Sequence, residues 1–275
     1  MAFAEVAASD SGVTRYNEDT RHWESLRREF IDDLLGGHGI GHLADRAERF
    51  GTTLSGVQVV AAVRAPEVFV DGGVVYRRVE SELGQVLGRR DVLVCTKDGL
   101  LVCLAPASII DEFVDAVTAV LGAGTPWRMG IGPAQSGPDG AARSFELACN
   151  ALDIGERLDL PDQVLRDRDL LVYRVLRRDS AALSELVTDV LEPLRATRIG
   201  PGPLLETLIA YFMAGGVATA AAQRLGVSVR TVTYRLKRVG ELTGYALDNP
   251  EEAFTLQVAA LGARLIGWLD RGGAT

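Results

Sequence analysis

The spacing of apolar positions divides the chain into stretches of different period. Residues 1–17 show no periodicity, and a flexible tail is expected over 1–18. From Asp19 to Leu35, Trp23, Leu26, Phe30, Leu34 and Leu35 recur at helical spacing. The run GGHGIG (36–41) breaks that helix and a second is predicted over about 40–50, so residues 19–55 read as N-terminal helices. An alternating section follows. GVQVVAAV (56–63) is an unbroken apolar run of strand length, and Val75, Val79, Leu83, Val86 and Leu87 predict a helix over 73–87. DVLVCT (91–96) and LLVCLA (100–105) flank Lys97-Asp98-Gly99, an Asp-Gly turn that predicts a β-hairpin. A helix is expected from Ser108, placed as its N-cap, to Leu121, then a strand in WRMGIG (127–132) and a long helix over 138–158. The order β-α-β-β-α-β-α predicts a ferredoxin-like or cyclase-like sheet covered by helices over 56–160.

After Pro161 the pattern reads as helical throughout, at about 168–178 and 180–196, a helical connector assigned to 161–199. TRIGPGP (197–203) punctuates the chain with two Gly and two Pro, and a last domain is assigned to 200–275. Four helices fit it. PLLETLIAYFMAGG (203–216) opens on Pro and stops at a Gly pair; a short Ala-rich helix spans about 217–225; a third runs from Val229 to Thr243; the fourth opens at Asn249-Pro250-Glu251-Glu252 with a cap, an N1 proline and capping-box spacing. The predicted fold class is α+β: N-terminal helices, an α/β domain, and an all-α terminal domain.

Composition changes this picture little. The chain has 275 residues, 47% hydrophobic and 24% charged, the balance of a globular protein. Neither a membrane-length apolar run nor a signal-peptide start is present, so a cytoplasmic location and no membrane partner are expected. Cys95, Cys103 and Cys149 are odd in number and widely spaced, which argues against a disulfide framework or a zinc ribbon. Charge changes it more. Between Val217 and Tyr245 five basic residues face the single acid Glu241, giving +4; with a chain total of −8, the remainder carries −12. Screening confines electrostatics to about 8–10 Å, so a local basic patch on an acidic chain can bind phosphate.

That patch lies in ATAAAQRLGVSVRTVTYRLKRV (218–239), which reads as a helix-turn-helix. Ala221 and Ala222 let two helices cross closely, Gly226 allows a left-handed turn, and Ser228 is placed to cap the second helix. On that helix Val229, Val232, Leu236 and Val239 share one side, and Tyr234 lies nearly opposite, flanked by Arg230, Thr231, Lys237 and Arg238. Such a face suits the major groove: Arg grips guanine, Thr and Tyr meet base edges or phosphates, and Lys reaches the backbone. The DNA-binding residues assigned are Ser228, Arg230, Thr231, Thr233, Tyr234, Arg235, Lys237 and Arg238. A basic amphipathic helix alone is more often a solvated face; the turn, the Ala-rich partner, the cap and the charge together favour DNA. One helix-turn-helix covers one half-site, so a homodimer on a two-fold operator is expected.

The segment from Glu206 to Ala259 resembles the C-terminal helix-turn-helix of PucR/CdaR-type regulators, with a leading helix, a Gly pair, a variable linker, V-R-T-V-T-Y-R-L-K-R, E-L-T-G and a D-x-P-E helix. RREFIDDLLGG (27–37) and ADRAERFGTTLSGVQVVAAV (44–63) are similar to the helices leading into that family's degenerate GGDEF-like domain. The resemblance implies bacterial transcription control, often activation, of catabolic or biosynthetic genes; the N-terminal sensor of many members is expected to be missing.

No catalytic residue is assigned. An active cyclase requires acidic ligands on the first strand and a Gly-Gly-Asp/Glu-Glu hairpin to hold two divalent cations. VQVVAAV has no acid and the hairpin tip is Lys97-Asp98-Gly99-Leu100-Leu101, so Asp98 reads as a turn former. Gly130-Ile131-Gly132 lacks the residues that complete a phosphate loop. His38 and His42 read as loop residues rather than metal ligands. Cys95 and Cys103 are expected to face each other across the hairpin, a thiol pair more often inert than redox-active. No cofactor or metal is expected. The partners expected are double-stranded DNA, a second copy, and a small-molecule effector of unidentified chemistry. The alternative is an effector-binding or protein-interaction module whose terminal helices dock a partner protein.

Overall fold

Elements α1 (25–36), α2 (Ile40–Arg49), β1 (Val57–Arg64), α3 (Val74–Leu87), β2 (Leu93–Lys97), β3 (Leu100–Pro106), α4 (Ile110–Leu121), β4 (Arg128–Ile131), β5 (Gln135–Ser136), α5 (Pro138–Arg157) and β6 (Val164–Arg166) precede six further helices in the computed structural model. These are α6 (Leu171–Arg178), α7 (Ser180–Leu191), α8 (Pro201–Met213), α9 (Ala218–Leu225), α10 (Val229–Thr243) and α11 (Pro250–Leu265). The structure describes residues 23, 25–38, 40–50, 56–87, 92–122, 124–197 and 200–270, so the tail expected over 1–18 lies outside the described residues. The chain divides into two units, Met1–Asp153 with Pro161–Leu170, and Ile154–Leu160 with Leu171–Thr275.

In the first unit the strand order is β2-β3-β1-β4-β6, with β5 pairing β1. The first four strands alternate in direction and give the expected ferredoxin-like sheet. Side chains of β1 alternate between two cores, as a strand period of two requires. Val60 and Ala62 join Phe30, Leu34, Leu43, Phe145 and Leu152 from α1, α2 and α5. Val59, Ala61 and Val63 join Val79, Leu83, Phe113 and Val117 from α3 and α4. Burial on both faces explains why β1 reads as a continuous apolar run rather than an alternating one. The turn between β2 and β3 has Asp98 and Gly99 at φ 51° and 78°, the left-handed pair that a two-residue hairpin needs.

Sequence expectations fail at three places here. Ser108 does not cap α4: residues Ala107–Ile109 form a 3-10 turn, and Ile109 precedes α4 without a side-chain cap bond. The chain after Pro161 is not wholly helical, because β6 adds to the sheet parallel to β4. Three residues carry too little periodicity to announce a strand, and the two-residue β5 still less. Cys95 and Cys103 do not face each other: Cys95 pairs with Val102 and Cys103 with Val94, a register offset of one that sends the thiols into opposite cores. Burial pushes the Cys95 thiol up to about 12 and also raises that of Cys103. Gly130 and Gly132, which the sequence does not complete into a phosphate loop, serve close packing. A Cβ on either would lie 2.0 Å from a carbonyl oxygen of α5, that of Ala148 or Ser144 respectively. The buried Ser144 Oγ in turn accepts the Val60 N–H at 2.9 Å, next to where β1 passes from β4 to β5.

The open edge of β2 is covered by side chains. Arg27 Nη2 and Tyr76 Oη donate to the Val94 carbonyl at 2.6 and 3.1 Å, and Asp71 Oδ1 accepts the Thr96 N–H at 3.1 Å. Occupied edge groups are unavailable to another strand.

The second unit is all helical around one core. Leu204, Leu205 and Leu208 of α8 meet Val187 and Leu191 of α7, Ala221 and Ala222 of α9, and Leu256, Ala259 and Ala263 of α11. Gly262 of α11 lies against Leu183 and Val187 of α7, and Arg195 stacks 4.1 Å over the Trp268 ring while donating to its carbonyl. Among the described residues no helix is long and apolar enough to cross a membrane.

Gly130→Ala is expected to destabilise the first unit by about 1–3 kcal/mol, the cost of overpacking, measured as a fall in the denaturant midpoint. With both thiols buried and protonated at pH 8, iodoacetamide should modify Cys95 and Cys103 only after unfolding, checked by mass spectrometry of native and denatured samples.

Candidate nucleic-acid interface

Sequence chemistry positions α10 at both ends. The carbonyl groups at the end of α9 are closed by Gly226 in the left-handed conformation (φ 64°, ψ 29°), with the Val227 N–H bonded to the Ala222 carbonyl at 3.1 Å. Two residues later Ser228 is extended, and its Oγ accepts the Thr231 N–H at 3.1 Å, the expected N-cap. The C-terminal end closes on Gly244, also left-handed. Beyond it Asn249 caps α11 as expected, but Glu252 does not complete a capping box. Its carboxylate takes the Asn249 side-chain amide and the Ala246 N–H instead.

Between these ends Val232, Leu236 and Val239 are buried in the core of the unit. Val229 is not: it is 42% exposed, because the first turn of α10 begins before the helix has anything to pack against. Arg230, Thr233, Tyr234 and Lys237 are exposed on the opposite side, Tyr234 at 57%. Thr231 and Arg238 are half-buried along one flank of that face.

The serine and threonine hydroxyls of this surface are already engaged. Ser228 Oγ and Thr231 Oγ1 share a 2.8 Å hydrogen bond, and Thr233 Oγ1 donates to the Val229 carbonyl. Arg238 Nη1 lies 3.0 Å and Lys237 Nζ 3.9 Å from the Glu241 carboxylate. Arg235 stands apart. At about 100° per residue it falls beside Val232 and Val239 rather than beside Tyr234, and its Nη1 donates to the buried Thr207 Oγ1 of α8 at 3.2 Å. Thr207 Oγ1 itself donates to the Pro203 carbonyl at 2.7 Å. The helical angle of position 235 was the sequence signal for this placement. Arg224, on the helix before the turn, points elsewhere and donates to the Asp159 carbonyl at 3.0 Å.

In the first unit His38 and His42 are exposed, and among the described residues no three His, Cys, Asp or Glu side chains are grouped to hold a metal.

Two helices joined by a left-handed glycine and a capping serine, with the second presenting an exposed polar face, define a helix-turn-helix protein. Comparison with known proteins agrees. Residues 36–154 match the GGDEF-like domain, and residues 204–261 match the PucR C-terminal helix-turn-helix domain. In these two domains and their order, the chain is similar to regulators of the PucR/CdaR type. It is 39% identical over 136 residues to uncharacterized proteins of Mycobacterium tuberculosis and Mycobacterium bovis, covering 49% of this chain and 32% of theirs. It is 29% identical over 135 residues to the carbohydrate diacid regulator of Escherichia coli, covering 48% of this chain and 34% of that one. Each match thus takes in about a third of the relative's length. The crystal structure of a regulator of polyketide synthase expression from Bifidobacterium adolescentis is 25% identical, with 86% of this chain and 97% of that chain covered and a TM-score of 0.45.

Ser228→Ala removes the cap of α10 and is expected to cost about 1 kcal/mol, read from chemical denaturation of the full chain. Ser228→Asp, which retains a capping acceptor, should lose much less.

Proposed function

We propose that the chain is a sequence-specific, DNA-binding transcription regulator, acting in the cytoplasm as a homodimer. The observation that carries this reading is the outer face of α10. A rigidly capped helix presents Arg230, Thr233, Tyr234 and Lys237 to solvent on a segment of charge +4 within an acidic chain. Arg230 and Tyr234 sit where base edges are read, Thr233 lies beside them, and Lys237 and Arg238 reach phosphate. Ser228 and Thr231, at the start of α10, present the helix N-terminus to the backbone. Arg235, tied to Thr207, holds the angle at which α10 leaves α8.

The GGDEF-like domain serves dimerisation, effector sensing or both, and performs no cyclase chemistry. β1 carries no acid, and the hairpin tip places Asp98 in the left-handed turn, followed by Leu100 and Leu101. The gene set controlled and the direction of control are matters for the bound sites; activation of metabolic genes is the direction the family suggests.

Selection of duplexes from a random library by the full chain should enrich a two-fold-related motif. On the enriched duplex the Arg230→Ala/Tyr234→Ala variant should lose binding while keeping the wild-type circular dichroism spectrum. Wild-type affinity should fall with salt with a log–log slope of about −2 per helix, for the two cations, Lys237 and Arg238, engaged with phosphate. Unchanged affinity in the double variant would remove the assigned face, and salt-independent or absent duplex binding would favour docking of a partner protein instead.

A further inference from the structure

Glu241 lies on the same stripe of α10 as the residues assigned to DNA. It follows Arg230, Tyr234 and Lys237 at successive spacings of four, three and four residues, which keeps all four within a narrow arc of the helix. It is the one acid between Val217 and Tyr245. Each of its carboxylate oxygens holds a different cation: Oε2 accepts from Arg238 Nη1 at 3.0 Å, and Oε1 lies 3.9 Å from Lys237 Nζ. The Glu241 side chain is 46% exposed, so solvent and ligands reach the pairs. Arg230, at the other end of the stripe, has no such partner among the described residues.

We infer that Glu241 is an internal competitor for phosphate. It occupies Lys237 and Arg238 in the free protein, and a nucleic-acid backbone must displace its carboxylate to engage them. The stripe is thereby divided: Arg230 and Tyr234 are ready to read bases, while the backbone contacts form only by exchange of one anion for another. The consequence is a weaker and more readily reversed hold on DNA of any sequence than the formal charge of α10 implies. This inference rests on the reading of α10 as the DNA-facing helix. A purely structural role, two intrahelical ion pairs worth a few tenths of a kcal/mol each, predicts a slightly lower melting temperature without Glu241 and no gain in DNA affinity.

The test uses the full chain and a labelled random-sequence duplex, with affinity measured by fluorescence anisotropy across a series of salt concentrations. Glu241→Gln should tighten binding about fivefold at low salt, the scale of two released surface pairs. It should also steepen the log–log salt slope by about one. In a Lys237→Gln/Arg238→Gln background the same substitution should gain less than about twofold, since there is nothing left to release. Unchanged or weaker binding by Glu241→Gln overturns the inference, and so does a full gain retained in the background lacking both cations. Wild-type protein that binds no duplex at any salt overturns the DNA reading itself, whereas wild-type binding without a gain in the variant overturns this inference alone.

Discussion

The direction in which α10 points depends on the burial of Val232, Leu236 and Val239 in the core shared with α8, α9 and α11. Each buried aliphatic side chain contributes about 1.5–3 kcal/mol, far more than the polar contacts on the outer face. Those three residues therefore set the rotation of the helix about its own axis, and the positions of Arg230, Tyr234 and Lys237 follow from it. The cap at Ser228 and the left-handed Gly226 determine where the helix begins; the Arg235–Thr207 hydrogen bond ties its midpoint to α8. A change in the core that rotated α10 by one position would move the exposed stripe by about 100° and disperse it.

The first unit follows a different constraint. Its sheet is buried on both faces, so β1 and β3 carry almost no polar side chain, and the acids that nucleotide chemistry would need on β1 are absent. Gly130 of β4 and Gly132 just beyond it let the backbone of α5 lie directly on the sheet, and Ser144 satisfies the Val60 N–H. A sheet so packed positions helices well.

Much of this was legible in the residues. The face of α10, the Asp98-Gly99 hairpin and both capped helix starts at Ser228 and Asn249 are local patterns, and local patterns survive folding when tertiary contacts agree with them. What was not legible depended on distant partners. β6 exists because β4 offers it an edge, and Cys95 and Cys103 part because hairpin register, not proximity in sequence, sets which face a side chain takes. Val229 fitted the apolar spacing of α10 but sits too near its start to reach the core. The helical angle set Arg235 apart from the exposed face, but its partner Thr207, and the pairing of Glu241 with Lys237 and Arg238, appeared only in the folded chain.

The central claim is that the outer face of α10 meets DNA, and site-specific photocrosslinking tests it most directly. A photoreactive phenylalanine analogue replaces Tyr234 in one sample and the exposed Val68 of the GGDEF-like domain in another. Each full-length variant is irradiated with the duplex selected by the wild-type chain. The account predicts a protein–DNA adduct from position 234, suppressed by excess unlabelled duplex, and none from position 68. No adduct at 234, or equal yields at the two positions, would contradict it.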